Sequence, residues 1–197
     1  MNGRLSGESG RQAWWRRHRR TVAGIACCGI AVGLLTGYQR GGLAQVLPPA
    51  PAAVCPLLRP ELLALLVPGH GTATQDTDRD DETLSAWCVV ERPKDDGEDA
   101  SLVVGVINVG RAAGADPAAR AHRHFVGSFV LNRDRFLLDG LGDEAGYWSE
   151  LGPAGRLYLT VRAGTRLVHV QYRNTMVGPE RSREAAVLAA REVLAKL

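Results

Sequence analysis

The longest apolar run in the chain is the uncharged stretch from Thr21 to Tyr38, which has 18 residues. As a helix rising about 1.5 Å per residue it extends about 27 Å, close to the hydrocarbon thickness of a thin bilayer. We therefore predict a transmembrane helix over 21–38. The stretch Gly41 to Val54 is uncharged, contains three prolines and has no amphipathic period. Residues 39–54 are predicted to form an extended linker rich in Pro and Ala.

Beyond the linker, the spacing of apolar residues fits a helix in some segments and a strand in others. Residues 60–67 predict a short helix that begins at a proline and ends before Pro68. Residues 84–91 and 101–109 predict strands, the second apolar on both faces. Asp116 followed by Pro117 predicts the start of a helix that runs to about residue 130. The segments predicted as loops are 75–82, 94–100 and 139–153.

The clearest pattern is a hairpin. Residues 157–162 and 168–173 alternate apolar and polar positions around Gly164-Thr165, which suits a type II′ turn. Residues 180–197 predict a terminal helix. Its predicted apolar face consists of Val187, Ala190, Leu194 and Leu197. The whole order predicts an α+β fold, a mainly antiparallel sheet backed by helices, in one domain over 55–197.

Charge is concentrated at the start of the chain. Six arginines against Glu8 give residues 1–20 a formal charge of +5, so the rest carries −2 of the chain's +3. This balance gives no indication of nucleic-acid binding by the folded domain. A basic head before an apolar helix is typical of a cytoplasmic N-terminus. We expect a single-pass plasma-membrane protein whose C-terminal domain is extracytoplasmic. The residues predicted at the membrane interface are Trp14, Trp15, Arg16, Arg17, Arg19 and Arg20.

Two other interpretations of the N-terminal segment remain open. Gly42-Leu43-Ala44 before Gln45 is an acceptable signal-peptide cleavage site. Lipidation of Cys27 or Cys28 is less well supported, because Gly24 lies where a lipobox requires Leu or Val. We favour an uncleaved anchor.

The two cysteines outside the predicted membrane helix are Cys55 and Cys88. An even pair in an oxidising compartment is most simply a disulfide. A metal pair or a reactive thiol would be the alternative, but no CxxC spacing occurs and no His lies near either cysteine in sequence.

Several short motifs together resemble a known group of proteins. They are CPLLRPELLALL from Cys55, Trp87-Cys88, the segment LGDEA from Leu141, the hairpin, and an Ala-rich terminal helix. The chain resembles uncharacterised actinobacterial envelope proteins built as lipoproteins or membrane-anchored domains. The resemblance implies a disulfide and a sheet similar to the PsbP-like layout, and it implies no particular chemistry. The lipobox cysteine of many members is missing here.

The segment 141–148, LGDEAGYW, combines carboxylates and aromatic residues in a glycine-rich stretch. Asp143, Glu144, Tyr147 and Trp148 are therefore candidate ligand-binding residues, since aromatic faces stack on ligands and carboxylates accept hydrogen bonds. We favour the alternative, a structural turn whose glycines set the backbone and whose Trp148 lies in the core.

The sequence shows no motif for metal binding, catalysis or nucleotide binding. His122 and His124 lie two apart on a predicted helix and cannot share a metal, and His169 falls on the wetter side of its strand. No GxSxG, HExxH or GK[ST] motif is present, and the glycines after Gly140 miss the dinucleotide spacing. We predict no cofactor, no metal and no catalytic set.

The sequence therefore favours a membrane-anchored envelope module that binds an envelope protein or a small ligand. The alternative is a hydrolase that acts on envelope glycan or peptide through Asp143 and Glu144. A signalling role is less favoured, because 20 cytoplasmic residues are too few to fold as a domain.

Overall fold

A computed structural model of the chain describes residues 53–79, 83–93, 99–110, 116–129, 135–150 and 155–197. The predicted basic head, membrane helix and most of the linker lie outside the described residues. Within those ranges, no helix is long and apolar enough to span a bilayer.

The described chain forms a sheet, helices on both of its faces, and a short 3₁₀ turn at Cys55–Leu57. The helices are α1 (Pro60–Leu66), α2 (Pro117–Gly127) and α3 (Pro179–Leu194). The strands are β1 (Thr74–Arg79), β2 (Thr83–Glu91), β3 (Ala100–Val109), β4 (Phe136–Leu138), β5 (Glu144–Ser149), β6 (Leu157–Ala163) and β7 (Arg166–Asn174).

The strands form one sheet of order β1-β2-β3-β7-β6-β5-β4, and every neighbouring pair is antiparallel. It consists of two meanders, β1 to β3 and β4 to β7, joined where β3 pairs with β7. The prediction of an α+β fold with an antiparallel sheet backed by helices is confirmed.

The main core lies on the face that α1 and α3 cover, which we call the α3 face. Valines of the central strands, including Val104, Val168 and Val170, are at most 1% exposed there. The helix contributes small residues such as Ala186 and Ala190, both 0% exposed, so its backbone lies close to the sheet. The core-facing side of α3 consists of Ser182, Ala185, Ala186, Ala189, Ala190 and Val193.

The opposite face, which we call the α2 face, has a smaller core. Phe125 and Phe129 pack edge to face with ring centroids 5.2 Å apart, against Val109 and Leu167. The helix begins where predicted, because the Asp116 side chain accepts hydrogen bonds from the backbone N–H groups of Ala118 and Ala119 at 3.2 Å.

Most predicted elements are present within a few residues of their expected bounds. The hairpin turns at Gly164, whose φ of 61° is the left-handed conformation that this turn requires. The predicted face of the terminal helix packs on the core: Ala190 is buried, and Val187, Leu194 and Leu197 are partly buried against it. The most buried positions of the helix are alanines, which the prediction largely missed, and the helix ends at Leu194. Small side chains give a weak apolar signal although they pack closely.

Two segments predicted as loops form strands instead. Residues 75–82 contain most of β1, which is exposed along its whole length and is held by backbone pairing with β2. Residues 139–153 contain β5, whose glycine lies inside the strand. Neither segment shows an apolar alternation, because β1 buries no side chain and β5 contacts a different core on each face.

Cys55 and Cys88 form the predicted disulfide. It joins the 3₁₀ turn to the centre of β2, where Cys88 is 0% exposed. Val54, which the sequence placed in the linker, is also 0% exposed and belongs to the core. The disulfide therefore fixes the start of the folded region against the sheet.

The double variant Cys55→Ala/Cys88→Ala should lose about 4 kcal/mol of unfolding free energy, because the bond closes a loop over a sequence separation of 33. Urea titration of both proteins measures this loss. Dithiothreitol should destabilise the parent chain by a similar amount and leave the double variant unchanged. Equal sensitivity of the two proteins to dithiothreitol would contradict the assignment.

Candidate functional site

The four residues predicted to bind a ligand do not share a surface. Strand β5 sends Tyr147 to the α3 face, and Glu144 and Trp148 to the α2 face, because neighbouring side chains of a strand alternate. Asp143 precedes the strand and lies beside the β6–β7 turn. The segment therefore contributes to two separate surfaces.

Both carboxylates of the predicted site bind Arg162. Its Nη1 lies 3.1 Å from Asp143 Oδ2, and its Nε donates to Glu144. Asp143 also accepts the backbone N–H of Gly164 at 2.7 Å, and His122 Nδ1 lies 2.9 Å from Glu144 Oε1. These contacts tie β5 and α2 to the β6–β7 hairpin.

This environment also changes the acidity of Glu144. Burial by itself would raise the pKa, but the hydrogen bonds from His122 and Arg162, together with the Arg162 charge, lower it below the ordinary value. A carboxyl group with a lowered pKa is a poor proton donor at neutral pH. The hydrolase alternative based on Asp143 and Glu144 stays a prediction, and these contacts do not favour it.

The aromatic members of the segment stack on neighbours from other strands. The ring centroids of Trp148 and Tyr158 lie 4.0 Å apart, and the rings are 8° from parallel. The Tyr158 hydroxyl donates to Glu150 Oε1 at 2.8 Å. Tyr147 stacks on Phe136 across the β4–β5 pair at 5.2 Å. The rings of Trp148 and Tyr147 therefore lie on opposite faces of the sheet.

Trp87 and His169 form a second aromatic cluster on the α2 face. The Trp87 ring covers Gly105, where an added Cβ would lie 2.3 Å from it, and its Nε1 donates to Ser85 Oγ at 2.9 Å. The His169 ring stacks beside Trp87 with the ring centroids 6.3 Å apart. Its Nδ1 lies 3.0 Å from Thr160 Oγ1. A glycine inside a strand as apolar as β3 is the sequence signal for such a close approach.

A groove opens on the α3 face between the start of α3 and the outer strands. We call it the edge groove; its volume is about 690 Å³. Its described lining residues are Phe136, Tyr147, Ser149, Glu150, Gly155, Leu157, Asn174, Val177, Gly178, Pro179, Glu180, Ser182 and Arg183. Of the four predicted ligand-binding residues, Tyr147 is the one in this lining.

The edge groove exists because the sheet extends beyond its helices. Helix α3 packs on β7 and β6, and neither α1 nor α3 covers β4. Phe136 is consequently 53% exposed, while Leu157, which also lines the groove, is 3% exposed. The wall of the groove is therefore apolar sheet surface that continues from the main core and that neither α1 nor α3 covers.

Among the described lining residues of the edge groove, the charged groups are two carboxylates and one guanidinium. Glu150 and Glu180 line it, and Arg183 hydrogen bonds with Tyr147, which raises the pKa of the guanidinium. No local sequence pattern indicates this set, because the groove combines the ends of five separate elements.

No protein-family model, no curated protein and no solved structure matches this chain. In the part of the chain that the structure describes, no group of three or more His, Cys, Asp or Glu side chains is placed to hold a metal ion. Support for a function therefore comes from the sequence pattern and from the contacts given above.

Gly105→Ala should destabilise the domain by about 1–3 kcal/mol, because the new methyl group would displace the Trp87 ring. Gly127→Ala is the matched control. No atom lies within 4 Å of its added Cβ, and it ends helix α2, so it should be neutral or stabilising by up to about 1 kcal/mol. Urea titration measures both changes. A similar change in the two variants would contradict the close contact at Gly105.

Burial, together with the nearby His124, lowers the pKa of His169 to about 4 from 6.5. The unfolded state therefore binds the proton more readily, and stability should fall as the pH drops from about 6.5 towards 4. The loss due to His169 is at most about 3 kcal/mol. His169→Gln should flatten this dependence in urea titrations at several pH values, whereas His70→Gln should retain it. An unchanged slope in His169→Gln would contradict the burial of the ring.

Proposed function

We propose that this chain is a membrane-anchored, extracytoplasmic binding module of the cell envelope, and that its ligand occupies the edge groove. The basic head and the apolar run 21–38 support the location. The resemblance to actinobacterial envelope proteins agrees with it. The edge groove is the observation that supports binding.

Size and lining both favour a binding site. A volume of about 690 Å³ falls within the range of small-molecule and peptide pockets. Its aromatic wall is the Phe136–Tyr147 stack, and Leu157 and Val177 add aliphatic surface. A ligand that covers Phe136 would remove exposed apolar surface from water.

The polar lining groups have structural partners, which favours binding over catalysis. Ser182 Oγ donates to the carbonyl of Gly178 at 3.2 Å, and Asn174 Nδ2 donates to Tyr172 Oη at 3.2 Å. Among the described lining residues, no hydroxyl or thiol is paired with a histidine or carboxylate as an activated nucleophile would be. The lining suits recognition of a ligand.

The proposal can be tested by photocrosslinking in the cells that naturally make the protein. The full chain carries p-benzoylphenylalanine in place of Phe136. As a matched control, the same group replaces Leu65, which is 68% exposed on α1 and does not line the groove. We expect a defined adduct at position 136, recovered in the membrane fraction, and none of the same mass at position 65.

A further variant, Val177→Glu, places a charge in the apolar wall and should reduce the adduct at position 136 severalfold. No adduct at position 136, or identical adducts at both positions, would overturn the proposed binding site. A full chain that remains soluble after cell lysis would overturn the anchor.

A further inference from the structure

The two edges of the sheet differ in how their backbone groups are satisfied. On β1, the N–H of Thr77 donates to Asp76 Oδ1 at 2.8 Å, and the N–H of Arg79 donates to Asp78 Oδ1 at 2.9 Å. The disulfide sulfur of Cys55 also lies 3.6 Å from the carbonyl oxygen of Thr74. Aspartates along an edge strand disfavour the addition of another strand. The β1 edge is therefore protected.

The β4 edge has the opposite character. Its three residues, Phe136, Leu137 and Leu138, are all apolar, and the first two are 53% and 68% exposed. It pairs with β5 on one side, and among the described strands none pairs with it on the other. An exposed apolar edge strand is a template for pairing with an extended segment.

The edge groove lies beside this edge on the α3 face. A strand paired with β4 would lie about 4.8 Å from it and would send alternate side chains to the same face as Phe136. Those side chains would reach the groove, and the intervening ones would lie beside Leu137. The ligand should therefore have apolar residues at alternate positions.

Charge indicates a further property of the ligand. Among the described lining residues, the two carboxylates Glu150 and Glu180 outnumber the one guanidinium, Arg183, although Glu150 also accepts the Tyr158 hydroxyl. A basic residue on the ligand would complement the two carboxylates.

We propose that the edge groove takes an extended protein segment with alternating apolar residues and one basic residue, and that this segment binds as an added antiparallel strand on β4. The inference rests on the proposed function, because it assigns a ligand class to the same groove. Backbone pairing supplies part of the affinity, and the groove selects the side chains.

The test uses the full chain in nanodiscs and the fluorescent peptide Arg-Thr-Phe-Thr-Val-Thr-Phe-Thr, with binding followed by fluorescence anisotropy. A permuted peptide of the same composition, without the alternation, is the first control. Two further versions carry N-methyl groups on alternate amides of one strand edge or of the other. We expect binding of the alternating peptide, weaker binding of the permuted one, and a loss of roughly tenfold per removed hydrogen bond for one methylated version only.

Glu180→Gln and replacement of the peptide arginine by citrulline should each weaken binding about threefold, and together no more than either alone. Glu184→Gln is the matched control, because this residue lies on the same helix outside the described groove lining, and it should leave affinity unchanged. Equal effects of the two methylated versions, or none, would overturn strand addition.

The two proposals can fail separately. A non-peptide adduct at position 136 would leave the binding module standing and overturn the peptide ligand. Sedimentation showing a dimer that Leu137→Asp dissociates would assign the edge to a second copy and overturn the partner segment. Absence of both the adduct and peptide binding would overturn both proposals.

Discussion

The pairing of β3 with β7 is the interaction on which the rest of the structure depends. It aligns nine residue pairs, from Ala100 with Asn174 to Asn108 with Arg166, between strands far apart in sequence. Without it the chain would consist of two separate meanders, each with one apolar face too narrow to bury a helix. The joined sheet provides the surface on which α3 packs.

The width of the joined sheet also creates the candidate site. The seven strands of the described residues extend beyond the area that α1 and α3 cover, and the uncovered margin falls at β4. At the other margin, β1 is polar and its carboxylates bind its own backbone N–H groups. The two edges of this wide sheet therefore differ: the β1 edge is polar and protected, whereas the β4 edge is apolar.

The sequence predicted well those elements whose apolar pattern or cap depends on a single local environment. The hairpin strands β6 and β7 alternate because each covers a core on the α3 face, and α2 begins at an Asp-Pro cap. Cys55 and Cys88 could be paired because each had one available partner. β1 and β5 were missed, since pairing between backbones holds β1 and two different cores divide β5.

The sequence by itself determined the apolar run 21–38, the basic head, the disulfide pair and most of the elements, because these depend on local composition and spacing. Only the tertiary structure decided that Asp143 and Glu144 bind Arg162, and that Tyr147 and Trp148 lie on opposite faces. It also assembled the edge groove from residues between Phe136 and Arg183. The physical reason is that strand register and sheet width depend on long-range pairing, which no local pattern encodes.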